Sequence, residues 1–258
     1  MVESFEEYTQ TITDYAIENI ELDFNSLLDF FAEKRADYQL RTGNIGSFGE
    51  KREDNEHVFF SVMYDHEIDI FADIVDTNSV YDLPKNSVFK HFIKNNFDCI
   101  IANSDRGKIL HSVNIENEEI VLVEAIIATK KVPKSSWIEL WSLVDEDMKN
   151  KADYQSIRSG IFVHMLSRYL PQILDICKNI FNKIFSSDNP INEIAELHWW
   201  MALSIFYKRG NAAISEYMAI YLLKHHNIEF NKWVHQVDIY AFMVGLEVFK
   251  NNYINLFN

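Results

Sequence analysis

Four adjacent residues, Lys208, Arg209, Gly210 and Asn211, hold the types from which an anion site can be built. Two cations stand side by side. Gly210 can enter a left-handed backbone conformation that side chains resist, and Asn211 is a favoured helix N-cap, so a helix is predicted to begin at Ala212. The unpaired amides of its first turn, and the positive end of its dipole, would then lie beside Lys208 and Arg209. Phosphate is the anion such a place suits. The same four residues also describe a plain corner between helices, with Gly210 and Asn211 serving the turn and both cations solvated.

The elements that must position this junction are two helices. Before it, Ile191, Ile194, Ala195, His198, Met201, Ala202 and Ile205 recur at helical spacing, giving an apolar face with a histidine in its middle. His198 reads as a hydrogen-bonded core histidine or as an anchor for the loop. It lies about three turns before Asn211, too far along the helix to act at the loop unless another element folds back over it. The adjacent Trp199 and Trp200 cannot share a face. After the junction, Glu216 falls about one turn into the second helix, where its carboxylate is placed to bond Arg209 and set the shape of the loop.

Residues 191–230 resemble the Fic family of the Fic/Fido superfamily. Ala195-Glu196-Leu197-His198 stands at the family's distance before Gly210-Asn211, and Tyr217-Met218-Ala219-Ile220-Tyr221-Leu222-Leu223 continues like its following helix. The family's loop reads H-x-F-x-[DE]-G-N-G-R. Aligned through Gly210-Asn211, its catalytic histidine falls on Ile205, its phenylalanine on Tyr207, its metal-binding acid on Arg209 and its last arginine on Ala213. The resemblance implies a Fic-like helical core that binds a phosphate-bearing ligand, a nucleotide or nucleotide-sugar, at Lys208, Arg209, Gly210 and Asn211, with His198 and Glu216 in support. Ile205 cannot accept a proton, and Arg209 would offer phosphate a guanidinium in place of a metal ion. Standard AMP transfer is therefore not expected, and no catalytic residue, cofactor or metal ligand is assigned. Two functions stay open: a transferase that modifies a protein target, and a non-catalytic interaction or effector protein on the same scaffold.

Composition narrows the classes. With 48% hydrophobic residues, 19 Phe and 12 Tyr against 7 Gly and 4 Pro, the chain has much core material and little for loops, which suits a helix-rich fold. A net charge of −15 repels phosphate backbones and anionic bilayers, so nucleic acid is excluded as a general partner while a local cationic pocket stands out. Two cysteines, Cys99 and Cys177, make neither a disulfide framework nor a zinc pattern, and both read as buried thiols of a reducing compartment. No stretch reads as a secretory signal or a membrane span. The expected location is the cytoplasm, or a host cell reached through a dedicated secretion machine.

In order, residues 1–41 read as two N-terminal helices in an antiparallel pair, with Phe24, Leu27, Leu28, Phe31 and Ala32 as the buried stripe of the second. Residues 41–49 concentrate three glycines in one loop. A flexible connector is expected there, with folding over the site as the alternative. Residues 57–130 change to alternating, β-rich character with strands at 57–64, 68–75, 97–102, 107–113 and 119–128, and a short helix at 87–95. His57, His66, His91 and His111 are scattered without ligand spacing. Residues 136–258 return to helix, including a long stretch at 154–185 in which Pro171 kinks the helix or opens a new one, and a last helix at 231–257. The whole is expected to be a single domain, α+β and predominantly helical, with a small antiparallel sheet in its middle third.

Overall fold

Capping residues open the first two helices. Ser4 and Glu7 form a capping box at the start of α1 (Phe5–Asn19): Ser4 Oγ accepts from the Glu7 amide at 3.2 Å and the Glu7 carboxylate accepts from the Ser4 amide at 2.9 Å. Asp23 Oδ2 accepts from the Ser26 amide at 2.9 Å to start α2 (Phe24–Arg41). The stripe Phe24, Leu27, Leu28, Phe31 and Ala32 is buried, as its spacing predicts. Tyr8 Oη donates to the Lys34 carbonyl at 2.8 Å, and the rings of Phe5 and Tyr15 meet those of Tyr38 and Phe30, so α1 and α2 run antiparallel.

The computed structural model describes residues 4–44, 46–52, 59–62, 108–127, 160–234 and 236–257. The chain divides into two compact units, Met1–Glu53 together with Leu170–Asn258, and Asp54–Tyr169. The architecture is α+β and predominantly helical.

The first unit is built around two apolar helices. In α3 (Leu170–Ile184), Pro171 sits in the first turn, where its missing amide costs nothing, and Ile173, Cys177, Ile180, Phe181 and Ile184 are buried. That face packs on α4 (Pro190–Ser204), which is buried almost all round from Ile194 to Ser204. Trp199 and Trp200 are both buried, their rings edge-on at 5.7 Å, because packing surrounds α4 on every side. Helix α5 (Asn211–His225) packs on α1, α2 and α4, and buries Ala213 to Leu223 apart from Glu216. The 231–257 region is two short helices, α6 (Val237–Met243) and α7 (Leu246–Asn252), followed by a 3-10 turn at Tyr253–Leu256. The expected single helix is interrupted because Val244 is extended and Gly245 serves as the N-cap of α7.

The second unit contains a four-stranded antiparallel sheet of order β1-β4-β3-β2, from β1 (Phe59–Val62), β2 (Lys108–Ile115), β3 (Glu118–Ile127) and β4 (Gly160–His164). The β2-β3 hairpin turns through Glu116 and Asn117, both at positive φ (50° and 69°), as a two-residue turn matched to strand twist requires. Ile120 to Val123 are buried. Strand β4 overturns the helical reading of 154–185 in the part before Pro171, while a new helix does open at Leu170. Residues 160–164 pair with both β1 and β3, and a short apolar run cannot be told from helix by periodicity alone. The strands and helices expected at 68–75, 87–95, 97–102 and 136–148 lie outside the described residues, as do Cys99, His57, His66 and His91.

Among the described residues, no helix is long and apolar enough to cross a membrane, and no group of three or more His, Cys, Asp or Glu could hold a metal ion.

Candidate functional site

Helix α4 stops at Ser204 because Ile205 takes a left-handed conformation, φ 46° and ψ 72°. For a β-branched residue this is an outlier, carrying about 1–3 kcal/mol of strain that its surroundings must hold. Ile205 is therefore half-buried at the turn and not on the apolar face of α4, where its spacing would put it.

The surroundings that hold it are a strap, residues 48–52. Arg52 donates its amide to the Phe206 carbonyl at 2.9 Å and Nη1 to the Ile205 carbonyl at 3.1 Å, and burial pushes its pKa down to about 10. Lys208 donates its amide to the Glu50 carbonyl at 2.8 Å, and Gly49 its amide to the Arg209 carbonyl at 3.2 Å. The glycine-rich loop thus does not act as a flexible connector. Its end folds onto the junction. Two glycines permit the approach: a Cβ on Gly49 (φ 75°) would run into the Ala32 carbonyl, and one on Gly210 (φ 81°) would meet Arg35 Cγ at 2.7 Å and the Phe48 ring at 3.2 Å.

Asn211 is not the N-cap. Gly210 occupies that position without a side-chain cap, and the Asn211 side chain turns back into the core, 6% exposed. Its Oδ1 accepts from the Phe206 amide at 2.9 Å and its Nδ2 donates to the Met201 carbonyl at 2.8 Å. The residue ties the end of α4 to the start of α5, which is why a good cap former is spent elsewhere.

The cations separate. Lys208 Nζ lies 3.3 Å from Glu50 Oε2. The Arg209 guanidinium lies over the Phe48 ring at 4.9 Å, and the Arg35 guanidinium, from α2, lies over the same ring at 4.8 Å. Gln39, its amide oriented by the hydrogen-bond pattern, accepts from both Arg35 Nη groups. Among the described residues neither guanidinium forms an ion pair. Burial lowers the Arg35 pKa, and nearby Arg209 pushes in the same direction, against Tyr217, Tyr38 and Glu216. Two guanidiniums thus share one aromatic ring beside the opening turn of α5, Arg35 held by Gln39 and neither in an ion pair among the described residues. Such a place can hold an anion.

From residue 106 to residue 258 the chain matches the family described as avirulence proteins, AvrB/AvrC. The chain belongs to that family. The match covers the junction and both helices that flank it, and it corrects the resemblance to Fic drawn on residues 191–230. Of the Fic loop only the glycine and asparagine are present, and Asn211 is spent on the turn itself. No curated protein matches the chain.

In this avirulence-family chain Glu216 does not take the expected place at the loop, and His198 takes the core role of its two readings. Glu216 makes no ion pair with Arg209. Burial first and Asp238 second raise its pKa to about 8, with Arg35 pulling the other way. His198 is a core histidine: it is 1% exposed, its Nδ1 is 2.8 Å from Tyr253 Oη, and Trp233, Phe249 and Tyr253 ring it. Arg35 and Phe48, which complete the site, have no local signature, since Arg35 sits in a helix and reaches the junction only through tertiary packing.

Burial pushes the His198 pKa down to about 3. A histidine depressed in the folded state adds stability that is full above its unfolded pKa near 6.5 and is lost as pH falls below it. Chemical denaturation should show the parent losing about 2 kcal/mol more than His198→Gln between pH 6.5 and 5. Equal losses would mean His198 titrates normally.

Proposed function

We propose that the chain is an effector that acts inside a host cell by binding a host protein, and that the junction at 205–210 takes up an anionic group of that partner, phosphate being the group it suits best. Membership of the avirulence-protein family supports the effector role. The observation that carries the site is the pair Arg35 and Arg209 over Phe48, neither in an ion pair among the described residues, in a chain of net charge −15. A protein so acidic repels anions at long range, so two guanidiniums gathered at one place favour a short-range anion contact. Binding of this kind requires no turnover and no metal.

Fluorescence anisotropy with a labelled peptide bearing one phosphoserine tests this. The parent should bind it at least tenfold more tightly than the unphosphorylated peptide, with affinity falling as salt rises. Arg209→Glu should remove that preference while the fold stays intact, because a half-exposed charge adds little to stability. Competition by a free nucleotide or nucleotide-sugar separates a small phosphate-bearing ligand from a phosphorylated protein. If the parent shows no preference, or Arg209→Glu keeps it, the junction is only a turn and the partner binds elsewhere.

A further inference from the structure

We infer that the far end of α1, with Tyr15, Ile17, Glu18, Glu21 and Leu22, is a docking surface for a basic, amphipathic segment of a protein partner. It stands apart from the anion junction and does not rest on it. The ring of Phe5, which opens α1, lies 5.7 Å from the Arg35 guanidinium, whereas these residues close that 15-residue helix roughly 20 Å further along. Among the described residues, three of the seven exposed large hydrophobic side chains fall between positions 15 and 22: Tyr15 at 53%, Ile17 at 39% and Leu22 at 47%. One exposed apolar residue is ordinary; three gathered at one helix end mark a contact surface. Tyr15 is also braced. Its ring stacks on Phe30 at 5.8 Å and 15°, and Phe30 meets the buried Phe31 at 5.4 Å, so an aromatic anchor is held ready while more than half of it stays exposed.

Charge selects the occupant. Glu18 stands one turn after Tyr15, in a last turn without a basic residue, where the helix dipole is negative. Among the described residues neither Glu18 nor Glu21 makes an ion pair, while the bases close by face other acids, Lys224 at 2.6 Å from Asp14 and Lys178 near Asp23. The dipole and both carboxylates repel one another, and lysine or arginine from outside relieves all three. An anionic bilayer, or a second copy of a chain of net charge −15, would add repulsion instead. A segment with apolar residues between its cations fits both halves of the surface.

The probe is a labelled amphipathic peptide with lysines on one face and leucines on the other, followed by fluorescence anisotropy with the full chain. Glu18→Lys should weaken its binding about fivefold to tenfold, and Leu22→Ser about threefold. Glu247→Lys, which makes the same change in net charge at an 80% exposed side chain of α7, should weaken it less than about twofold at physiological salt. Thermal melting of Glu18→Lys should match or exceed that of the parent, because a cation suits the end of a helix, so lost binding is not lost fold. Arg209→Glu should leave the affinity within about twofold, which separates this surface from the junction. No binding by the parent overturns the inference. Equal weakening by Glu18→Lys and Glu247→Lys also overturns it, since only overall charge would then be at work. A dimer of the parent in analytical ultracentrifugation that Glu18→Lys dissolves overturns it too, by giving the surface to a second copy. None of these results touches the anion reading, which the phosphoserine peptide tests.

Discussion

Asn211→Ala should destabilise the chain by about 2–4 kcal/mol, because it removes both partners of two buried backbone groups, the Phe206 amide and the Met201 carbonyl. Neither group can turn to water where the side chain is 6% exposed. The bond to Phe206 also fixes the residue after Ile205, so its loss lets the left-handed turn relax. Asn211→Ser decides between this account and ordinary capping. Serine is among the best N-caps and would be nearly neutral if Asn211 only capped α5. It cannot span from Met201 to Phe206, and urea denaturation should find it close to the alanine variant.

Gly49→Ala should detach the strap. The new Cβ would run into the Ala32 carbonyl, and at φ 75° the alanine adds about 1–2 kcal/mol of backbone strain. Strap and α2 cannot both keep their places. Gly43 provides the control, since it has a similar φ of 76° but open space around a Cβ, so Gly43→Ala should cost only the strain. Hydrogen exchange reads the difference. In Gly49→Ala the amides of Lys208 and Arg52, which bond across the strap, should lose protection while those in the middle of α4 keep theirs. Unchanged protection at Lys208 and Arg52 would show that the strap is not held by this close approach.

Where local chemistry decides, the sequence was readable. The stripe from Phe24 to Ala32 is the buried face of α2, Pro171 stands in the first turn of α3, and the alternation near 108–127 gives strands. Where tertiary pairing decides, it was not. Residues 160–164 carry an apolar run that suits helix or strand, and only the neighbouring β1 and β3 choose between them. The site divides in the same way. Lys208, Arg209, Gly210 and Asn211 are visible as a motif, and the structure keeps Arg209 and Gly210 at the junction's surface while sending Asn211 inward. Arg35 lies more than 170 residues before Arg209, and nothing near it in the chain marks it as part of the site. The Fic resemblance rested on the spacing of two helices and a Gly-Asn pair, features that a structural turn also requires.

The claim that the junction binds phosphate is tested most directly by nuclear magnetic resonance of the full chain titrated with inorganic phosphate and with the phosphoserine peptide. Saturable shifts are expected at the backbone amides of Gly210 to Ala213 and at the Nε signals of Arg35 and Arg209, and they should vanish in Arg209→Glu. Shifts absent from these groups, or a response that persists in Arg209→Glu, would contradict it.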